Sequence, residues 1–409
     1  MSDQVFLFNT LSGTVIRRLT VATGYSRTTG LNDAEGSVTV DTTGAALTPA
    51  ECEPWVTSLA VINDSGRVLA AGPIYKRDFD FSTGRITLTA GSLWSILKKR
   101  VFQKTGTPIL ADNTYYTIAT DGSRTDWRQT FTGKPSGIAM GLIRSQFGDL
   151  SGINEWVPPS GTNTRTYDGL SLQYVGDLVK NLFDTQNPPL LRFGASFTGS
   201  SFLWTCEAIG DDTEPNVFAF NIDAQGGALT AATVSEDAGS AVNRAWLASR
   251  LSSDSNSSVF AQQVRALASG EYRLDYVSTQ YDDTSGETLS GYASGYATSV
   301  PFQSVSFTLA HDANTSGGSS HLAENVQVGD WAVLSASSGF YAGSSWGGRV
   351  QSLTGNDKEI SVSVERVTRF SSIDDASVPS NFVQMPSGGA AARLGGFAEF
   401  TRRANNPLL

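Results

Sequence analysis

The sequence predicts a mainly β protein with α+β insertions, and three observations support this prediction. Short runs of alternating apolar and polar residues, the pattern of half-buried strands, recur near both ends of the chain. Helical periodicity is confined to the first half of the chain. The 409 residues, 40% hydrophobic and 17% charged, are enough for several packed cores and are too apolar for a disordered chain.

The predicted strands alternate around residues 37–41, 78–81 and 85–89 in the first part of the chain. The same pattern returns at 305–309 and 360–364. The loops between these runs are rich in Gly, Asn, Asp and Ser, which favour chain reversal because Gly and Asn tolerate positive φ. We therefore expect an antiparallel β unit at each end of the chain.

Three helices are predicted between the first β unit and residue 189. In each, apolar residues recur every three to four positions behind a capping or turn residue. The third is expected to be buried along one face and to end at the Pro188-Pro189 pair. The first two predicted helices span 92–103 and 136–148. The third starts near Asp168 or Ser171 and buries Leu172, Val175, Leu178, Val179 and Leu182.

The segment after the proline pair is predicted to be rich in strands, at 190–197, 202–209 and 217–222. Eleven serines then fall between residues 251 and 300, together with a short Gly-Tyr-Ala-Ser repeat, a composition typical of long exposed loops. From Ser371 onward the chain is rich in Gly, Ala and Pro. This last stretch is expected to form an extended arm.

The net charge of −10 is concentrated in one segment. Residues 1–180 carry 17 basic and 16 acidic side chains, and residues 349–409 carry 7 basic and 6 acidic ones. Residues 181–348 carry 5 arginines, no lysine and 17 acids, a net charge of −12. Such a segment repels the phosphates of nucleic acids, which argues against a protein that binds DNA or RNA. It is either a solvated surface or one that polyanions pass without binding.

The sequence disfavours a membrane-spanning protein, a secreted protein and a disulfide-rich protein. No window reaches the roughly 18 to 20 apolar residues that span a bilayer. The first residues lack the basic region and the long apolar core of a secretion signal, so we do not expect export by the general pathway. Two cysteines, Cys52 and Cys206, cannot build a disulfide framework.

Residues for catalysis or metal binding are scarce, and we predict no catalytic residue, no cofactor and no metal site. The two histidines, His311 and His321, have only Asp312 and Glu324 near them as further oxygen ligands, and no metal-binding motif is present. Cys52 lies between two glutamates, which make it a poor nucleophile, and Cys206 lies in an apolar strand. Motifs for a serine nucleophile or a phosphate-binding loop are missing.

Acidic pairs and tryptophans suggest a sugar-binding or sugar-cleaving protein only weakly. Neighbouring acids point to opposite faces of a strand, so they cannot form the carboxylate pair of a glycosidase. Trp331 and Trp346 are the tryptophans best placed near loops for stacking on a sugar, although a place in a core or an interface is the favoured explanation. The acidic pairs are at 211–212, 236–237, 282–283 and 374–375.

Two stretches of the sequence resemble a known family. The first reads EPW at 53–55, LAVI at 59–62, GRVLAAGPI at 66–74, FDF at 79–81 and GRITLTAG at 84–91, followed by Leu93-Trp94. The second reads VQVGDW at 326–331 and GRVQSL at 348–353, with the hairpin that follows to Val364. Both resemble minor tail proteins of long-tailed phages that infect actinobacteria, the Gp37-like baseplate hub family.

This resemblance implies a structural hub at the tip of a non-contractile tail. Three subunits, each with two tail-tube-like antiparallel β-barrels flanking mixed insertions, would form a pseudo-sixfold ring around the DNA channel. The implied domains are a first barrel unit at 1–105 with a helix at 92–103, a helical insertion at 106–189, an acidic β-rich insertion at 190–300, a second barrel unit at 301–370 and an arm at 371–409.

The partners implied by the resemblance are other copies in a homotrimer, the distal tail protein, tail-tip or receptor-binding proteins and the tape measure protein. DNA would pass through the channel without specific binding. The protein would be part of the virion at the tail tip, assembled in the host cytoplasm, and would not be an enzyme. The alternatives are a carbohydrate-binding tail adhesin that uses the tyrosines of the 291–296 loop, Tyr292 and Tyr296, and, less favoured, a polysaccharide depolymerase.

Overall fold

The computed structural model confirms a mainly β fold, with 55% of the described residues in strands and 17% in helices. No helix within the part of the chain it describes is long and apolar enough to cross a membrane. The described residues are 3–19, 22–32, 36–43, 47–105, 127–183, 188–211, 213, 215–221, 229–237, 242–249, 260–264, 273–281, 289–290, 293, 302–310, 325–339, 342–370 and 382–384.

The N-terminal unit is antiparallel, as the alternating pattern predicts. Its longest strand pairs with two neighbours in turn: residues 68–73 pair with the strand before it and residues 74–80 with the strand after it. The apolar side chains on one face of these strands form a core, in which Leu59 and Leu88 are fully buried. The strands are β1 (Gln4–Asn9), β2 (Val15–Leu19), β3 (Ala22–Gly30), β4 (Ser37–Thr43), β5 (Thr57–Ile62), β6 (Val68–Asp80) and β7 (Arg85–Ala90).

Three helices follow, and two are shorter than the sequence predicts. The predicted helix 92–103 ends at Leu97, and the third helix begins at Val175, so that Leu172 is 70% exposed instead of buried. The reason is a long-range contact: the amide of Phe102 donates to Gln173, and the amide of Val175 donates to the carbonyl of residue 100. The elements are α1 (Leu93–Leu97), β8 (Arg128–Gly133), α2 (Pro135–Phe147), β9 (Asn163–Asp168) and α3 (Val175–Phe183).

The predicted strands after the proline pair are confirmed. The first two form a hairpin whose aromatic side chains enter the core of the N-terminal unit and the helices, where Phe202 stacks on Phe8 with ring centroids 4.3 Å apart. A separate three-stranded sheet later in this region has its own small core around Leu247. The strands are β10 (Leu191–Phe197), β11 (Phe202–Ala208), β12 (Val217–Asn221), β13 (Leu229–Asp237), β14 (Arg244–Ser249), β15 (Phe260–Val264) and β16 (Asp275–Tyr281).

The C-terminal unit is built from β17 (Phe302–Ala310), β18 (Trp331–Ala336), β19 (Ser344–Asn356), β20 (Glu359–Phe370) and β21 (Phe382–Gln384). It includes β12 and β13 as well, since β12 pairs with β18 and β13 pairs with β17. The predicted boundary at residue 300 therefore falls inside one sheet. The pairings of β12 with β18 and β21 are parallel, which alternation along single strands does not reveal.

The two β units are joined by hydrogen bonds into one sheet of fourteen strands, in the order β13-β17-β20-β19-β3-β4-β7-β6-β5-β1-β2, with β12, β18 and β21 branching from it. The connection is made where residues 352–356 of β19 pair with residues 26–30 of β3. The described strands form no closed barrel. The two units therefore share a continuous backbone ladder rather than meeting through side chains alone.

Candidate functional site at the junction of the β units

A buried turn lies where the N-terminal unit, the β10–β11 hairpin and the C-terminal unit meet. It is the VQVGDW motif, in which Gly329 has a φ of +88° and Asp330 is 1% exposed. The backbone conformation favours glycine, and a Cβ on Gly329 would lie 3.0 Å from a side-chain carbon of Ile209, which would have to move by a few tenths of an ångström. The amide of Gly329 donates to Val350 at 2.8 Å, which ties the turn to β19.

The carboxylate of Asp330 fastens this turn to two other segments. Its Oδ2 accepts from the amide of Gln327 at 2.7 Å, closing the turn on itself. Its Oδ1 accepts from the amide of Asn216 at 3.1 Å, just before β12. The guanidinium of Arg192, on β10, lies 3.8 Å from the same oxygen. One buried side chain thus connects the hairpin, β12 and β18.

Three arginines converge on this turn from three different elements. Arg192 donates to the carbonyl of Val328 at 3.1 Å. Arg349, on β19, donates to the carbonyl of Gly329 at 3.1 Å and lies over the ring of Trp331. Arg67, before β6, donates to the carbonyl of Asn325 at 3.4 Å. We call Asp330 with these three arginines the carboxylate–arginine junction; its members are Asp330, Arg67, Arg192 and Arg349.

A cavity of about 360 Å³ borders the junction. Arg27, Arg67, Arg192 and Glu207 contribute to its lining. Arg27 is 4% exposed and donates to the carbonyl of Leu69 at 3.0 Å, and Glu207 accepts from Nε of Arg192 at 2.7 Å. The guanidinium groups around this cavity are therefore bonded to protein carbonyls and carboxylates.

Burial governs the electrostatics of the junction. It raises the pKa of Asp330 from 3.8 to about 6, against the opposing effect of the two amide donors and of Arg192 and Arg67. Burial also lowers the pKa of Arg67, and the nearby charge of Arg192 lowers it further. The pKa of Arg349 is lowered by burial as well. Desolvation outweighs the ion pairing, so the junction holds its carboxylate charge at a cost in free energy.

The contacts of this site are structural, since they hold segments of the chain together. Its hydrogen bonds link backbone groups of three segments, and the residues that make them are arginines and one carboxylate. Within the described ranges, no group of three or more His, Cys, Asp or Glu side chains is placed to hold a metal ion.

The residues that the sequence singled out for chemistry do not come together here. Cys52 and Cys206 are buried, at 4% and 7% exposure. Trp346 is completely buried and cannot stack on a sugar, whereas Trp331 is half-buried beneath Arg349. Other candidates lie outside the described residues: His311, Asp312, His321, Glu324, Tyr292, Tyr296 and the acidic pairs at 282–283 and 374–375.

The acids of segment 181–348 whose side chains are described all contact a basic group. Glu207 and Asp330 contact Arg192, and Asp275 pairs with Arg244. Asp211 accepts from the ammonium of Lys134 at 2.6 Å. Local sequence did not reveal these pairs, because each joins residues at least 15 positions apart in the chain.

The fold is similar to that of two solved tail proteins, one of them from a prophage. The 43 kDa tail protein of prophage MuSo2 from Shewanella oneidensis aligns over 88% of this chain and 98% of its own, with a TM-score of 0.53 and 11% identity. A tail protein from Neisseria meningitidis aligns over 89% of this chain and 97% of its own, with a TM-score of 0.51 and 10% identity. No family model and no curated protein matches the sequence. The chain thus shares the fold of these two tail proteins along most of its length.

Proposed function

We propose that this protein is a structural component of a phage tail, specifically the baseplate hub at the tip of a long non-contractile tail. The observation that carries the proposal is the similarity of fold to two tail proteins over nearly the full length of both chains. Because a fold alone hosts many functions, the proposal also rests on the sequence resemblance to hub proteins and on the organisation of the two β units.

Two β units in each chain suit a ring of three subunits with pseudo-sixfold symmetry. Each copy would supply two tail-tube-like units, and three copies would continue a sixfold tube. The pairing of β3 with β19 and the carboxylate–arginine junction hold the two units of one chain together. The described sheet is open, so in this proposal the wall of the channel closes only when three copies assemble.

The partners in this proposal are other copies of the chain, the distal tail protein, the tail-tip or receptor-binding proteins and the tape measure protein. The protein would act without catalysis, in the virion at the tail tip, after assembly in the host cytoplasm. DNA would cross the ring without specific binding. The four acids of segment 181–348 whose side chains are described each contact a basic group, so an acidic channel lining would have to come from other acids of that segment.

Cryo-electron microscopy of intact tails tests this proposal directly. We expect three copies of the chain around the tail axis, directly below the distal tail protein, with their β units lining the channel. Six copies, or a position away from the axis, would contradict the hub assignment.

Reversing several acids of segment 181–348 to lysine is expected to slow DNA ejection more than tail assembly. Unchanged ejection would indicate that the segment lies on an outer face.

One surface favours a carbohydrate-binding adhesin as a second candidate function. On the outer face of the β14–β16 sheet, the guanidinium of Arg244 lies over the ring of Trp246 and pairs with Asp275, which also accepts from the indole N–H. Phe260 is 67% exposed and Val277 65% exposed on the same face. An aromatic ring flanked by fixed polar groups is a common recognition surface.

Binding of the purified protein to host cell walls tests this alternative. Trp246→Ala should abolish binding if the outer face of the β14–β16 sheet recognises sugar, whereas Tyr174→Ala, an exposed aromatic elsewhere, should leave it unchanged. Equal binding by both variants would exclude the β14–β16 sheet as the binding surface, and no binding by the unaltered protein would remove the adhesin alternative.

A further inference from the structure

The cavity of about 360 Å³ beside the carboxylate–arginine junction has an excess of positive charge. Its charged lining residues are Arg27, Arg67, Arg192 and Glu207, which together carry a net charge of +2. They come from β3, from the turn between β5 and β6, and from the β10–β11 hairpin. The lining of one cavity thus combines cations from the N-terminal unit and from the hairpin.

The ion pairs of this region do not remove the excess. Arg192 donates to Glu207 at 2.7 Å and lies 3.8 Å from Asp330, so a single arginine contacts both carboxylates. Arg349, on the other side of the junction, adds a fourth guanidinium group. With the whole junction counted, four guanidinium groups lie beside two carboxylates, and the net charge is still +2.

The other two lining arginines are held by the main chain. Arg67 donates to the carbonyl of Asn325 at 3.4 Å, and Arg27 donates to the carbonyl of Leu69 at 3.0 Å. A carbonyl accepts a hydrogen bond but carries no net charge, and a guanidinium group has five N–H donors. These bonds therefore fix the two side chains in place but do not cancel their positive charges.

The pKa of Arg67 reflects this arrangement. Burial lowers it, and the charges of Arg192 and Arg27 lower it further, against the opposing effects of Asp330 and Glu207. Like charges that are held together in a poorly solvated space are unfavourable. A bound anion would offset both the repulsion between the guanidinium groups and their loss of hydration.

Neutral hydrogen-bonding groups add to the lining. Ser37, Ser92 and Thr205 each contribute to it. The hydroxyl oxygen of Ser92 is buried and has no hydrogen-bond partner in the part of the chain that the structure describes. Since buried hydroxyl groups are normally hydrogen-bonded, this environment suits a polar occupant of the cavity.

We propose that this cavity binds a free divalent oxyanion of the sulfate or phosphate type. Two negative charges match the excess of two positive ones, and the oxygens of such an anion accept pairs of guanidinium N–H groups. The cavity has about the volume of twelve water molecules at about 30 Å³ each, so the anion fits together with part of its hydration shell. The site lies within one chain, and it goes beyond the proposed hub function because it does not depend on the place of the protein in a tail.

Equilibrium dialysis of the purified full chain against radiolabelled sulfate tests the proposal. We expect saturable binding of one sulfate per chain, displaced by inorganic phosphate but not by short duplex DNA. Arg67→Gln removes one lining charge and should weaken binding at least about tenfold, as expected for the loss of a hydrogen bond between charged groups. Arg18→Gln, the same substitution at an exposed arginine of β2 outside the cavity, should leave the affinity unchanged.

A second variant is expected to act in the opposite direction. Glu207→Gln removes the negative charge of the lining and should tighten sulfate binding several-fold. General stabilisation of proteins by sulfate cannot produce this pattern, because exclusion of the salt from the protein surface neither saturates nor depends on one side chain. Circular dichroism checks that all three variants remain folded. If Arg67→Gln does not fold, the affinity of Glu207→Gln decides, and an affinity no higher than that of the unaltered protein would overturn the proposal.

Three further results would overturn the anion site. They are an unaltered protein without saturable sulfate binding, an equal affinity in Arg67→Gln and Arg18→Gln, and displacement of sulfate by the DNA. These outcomes are independent of the hub function. A ring of three copies on the tail axis without sulfate binding would leave the hub proposal standing and exclude this site.

Discussion

Replacing Asp330 with asparagine tests how the carboxylate–arginine junction is held. The substitution keeps the size of the side chain and removes its charge. In the folded protein the carboxylate is 1% exposed and receives two amide hydrogen bonds and the charge of Arg192. Because burial dominates these favourable contacts, folding favours the neutral form of the side chain relative to the unfolded chain.

The expected magnitude follows from the pKa of Asp330, raised from 3.8 to about 6. A rise of about two units corresponds to about 3 kcal/mol of preference for the protonated form. The folded pKa lies above the unfolded one, so this contribution to stability is complete below about pH 4 and is lost as the pH rises through about 6. Asp330→Asn does not titrate at this position and lacks that dependence.

Urea unfolding, followed by tryptophan fluorescence between about pH 7 and about pH 4, measures the effect. The unaltered protein should gain about 3 kcal/mol relative to Asp330→Asn over this range. Asp275→Asn is a control that should follow the unaltered protein over this range, because pairing with Arg244 lowers the pKa of Asp275 and its contribution to stability is lost only as the pH falls below about 4. Parallel pH profiles for the unaltered protein and Asp330→Asn would refute the reasoning. They would mean that the pKa of Asp330 is unchanged by folding, because the ion pairing with the arginines offsets the effect of burial.

Three further substitutions probe the packing that positions the junction, each measured by urea unfolding. Gly329→Ala should lower the free energy of unfolding by about 2 to 3 kcal/mol because of its positive φ and its close neighbour, whereas Gly343→Ala, with a positive φ in open space, should cost about 1 kcal/mol. Trp204→Phe should cost about 1 to 2 kcal/mol, because the indole N–H donates to the carbonyl of Thr10 at 3.0 Å. Phe202→Ala, at a site 1% exposed, should cost about 3 to 5 kcal/mol, and a loss below about 1 kcal/mol would contradict its place in the core.

Sequence periodicity predicted the strands better than the ends of the helices. The alternating runs at 85–89 and 360–364 lie within β7 and β20, because alternation is a local consequence of having one face buried. The helix predicted at 92–103 stops at Leu97 because residues 100–102 bond to residues 173–175, some 70 positions later. No local pattern encodes such a contact, so tertiary pairing overrides helix propensity there.

The candidate site was only half visible in the sequence. The VQVGDW motif is part of the resemblance to hub proteins, and its Gly329 adopts a positive φ. The burial of Asp330 and the approach of Arg67, Arg192 and Arg349 were not predictable, because the arginines come from segments that are remote in sequence. In a sequence, an isolated acidic residue or arginine normally indicates a solvent-exposed position.

The amino-acid sequence alone accounts for the mainly β class, the position of the strands and the segment that carries the excess of negative charge. These follow from residue type and from the period of two, which depend only on neighbours along the chain. The tertiary structure adds the ladder between β3 and β19, the parallel pairing of β12, and the pairing of Asp330, Glu207 and Asp211 with basic groups. Burial and ion pairing depend on which distant segments pack together, so a segment with a charge of −12 contains acids that are already neutralised within the fold.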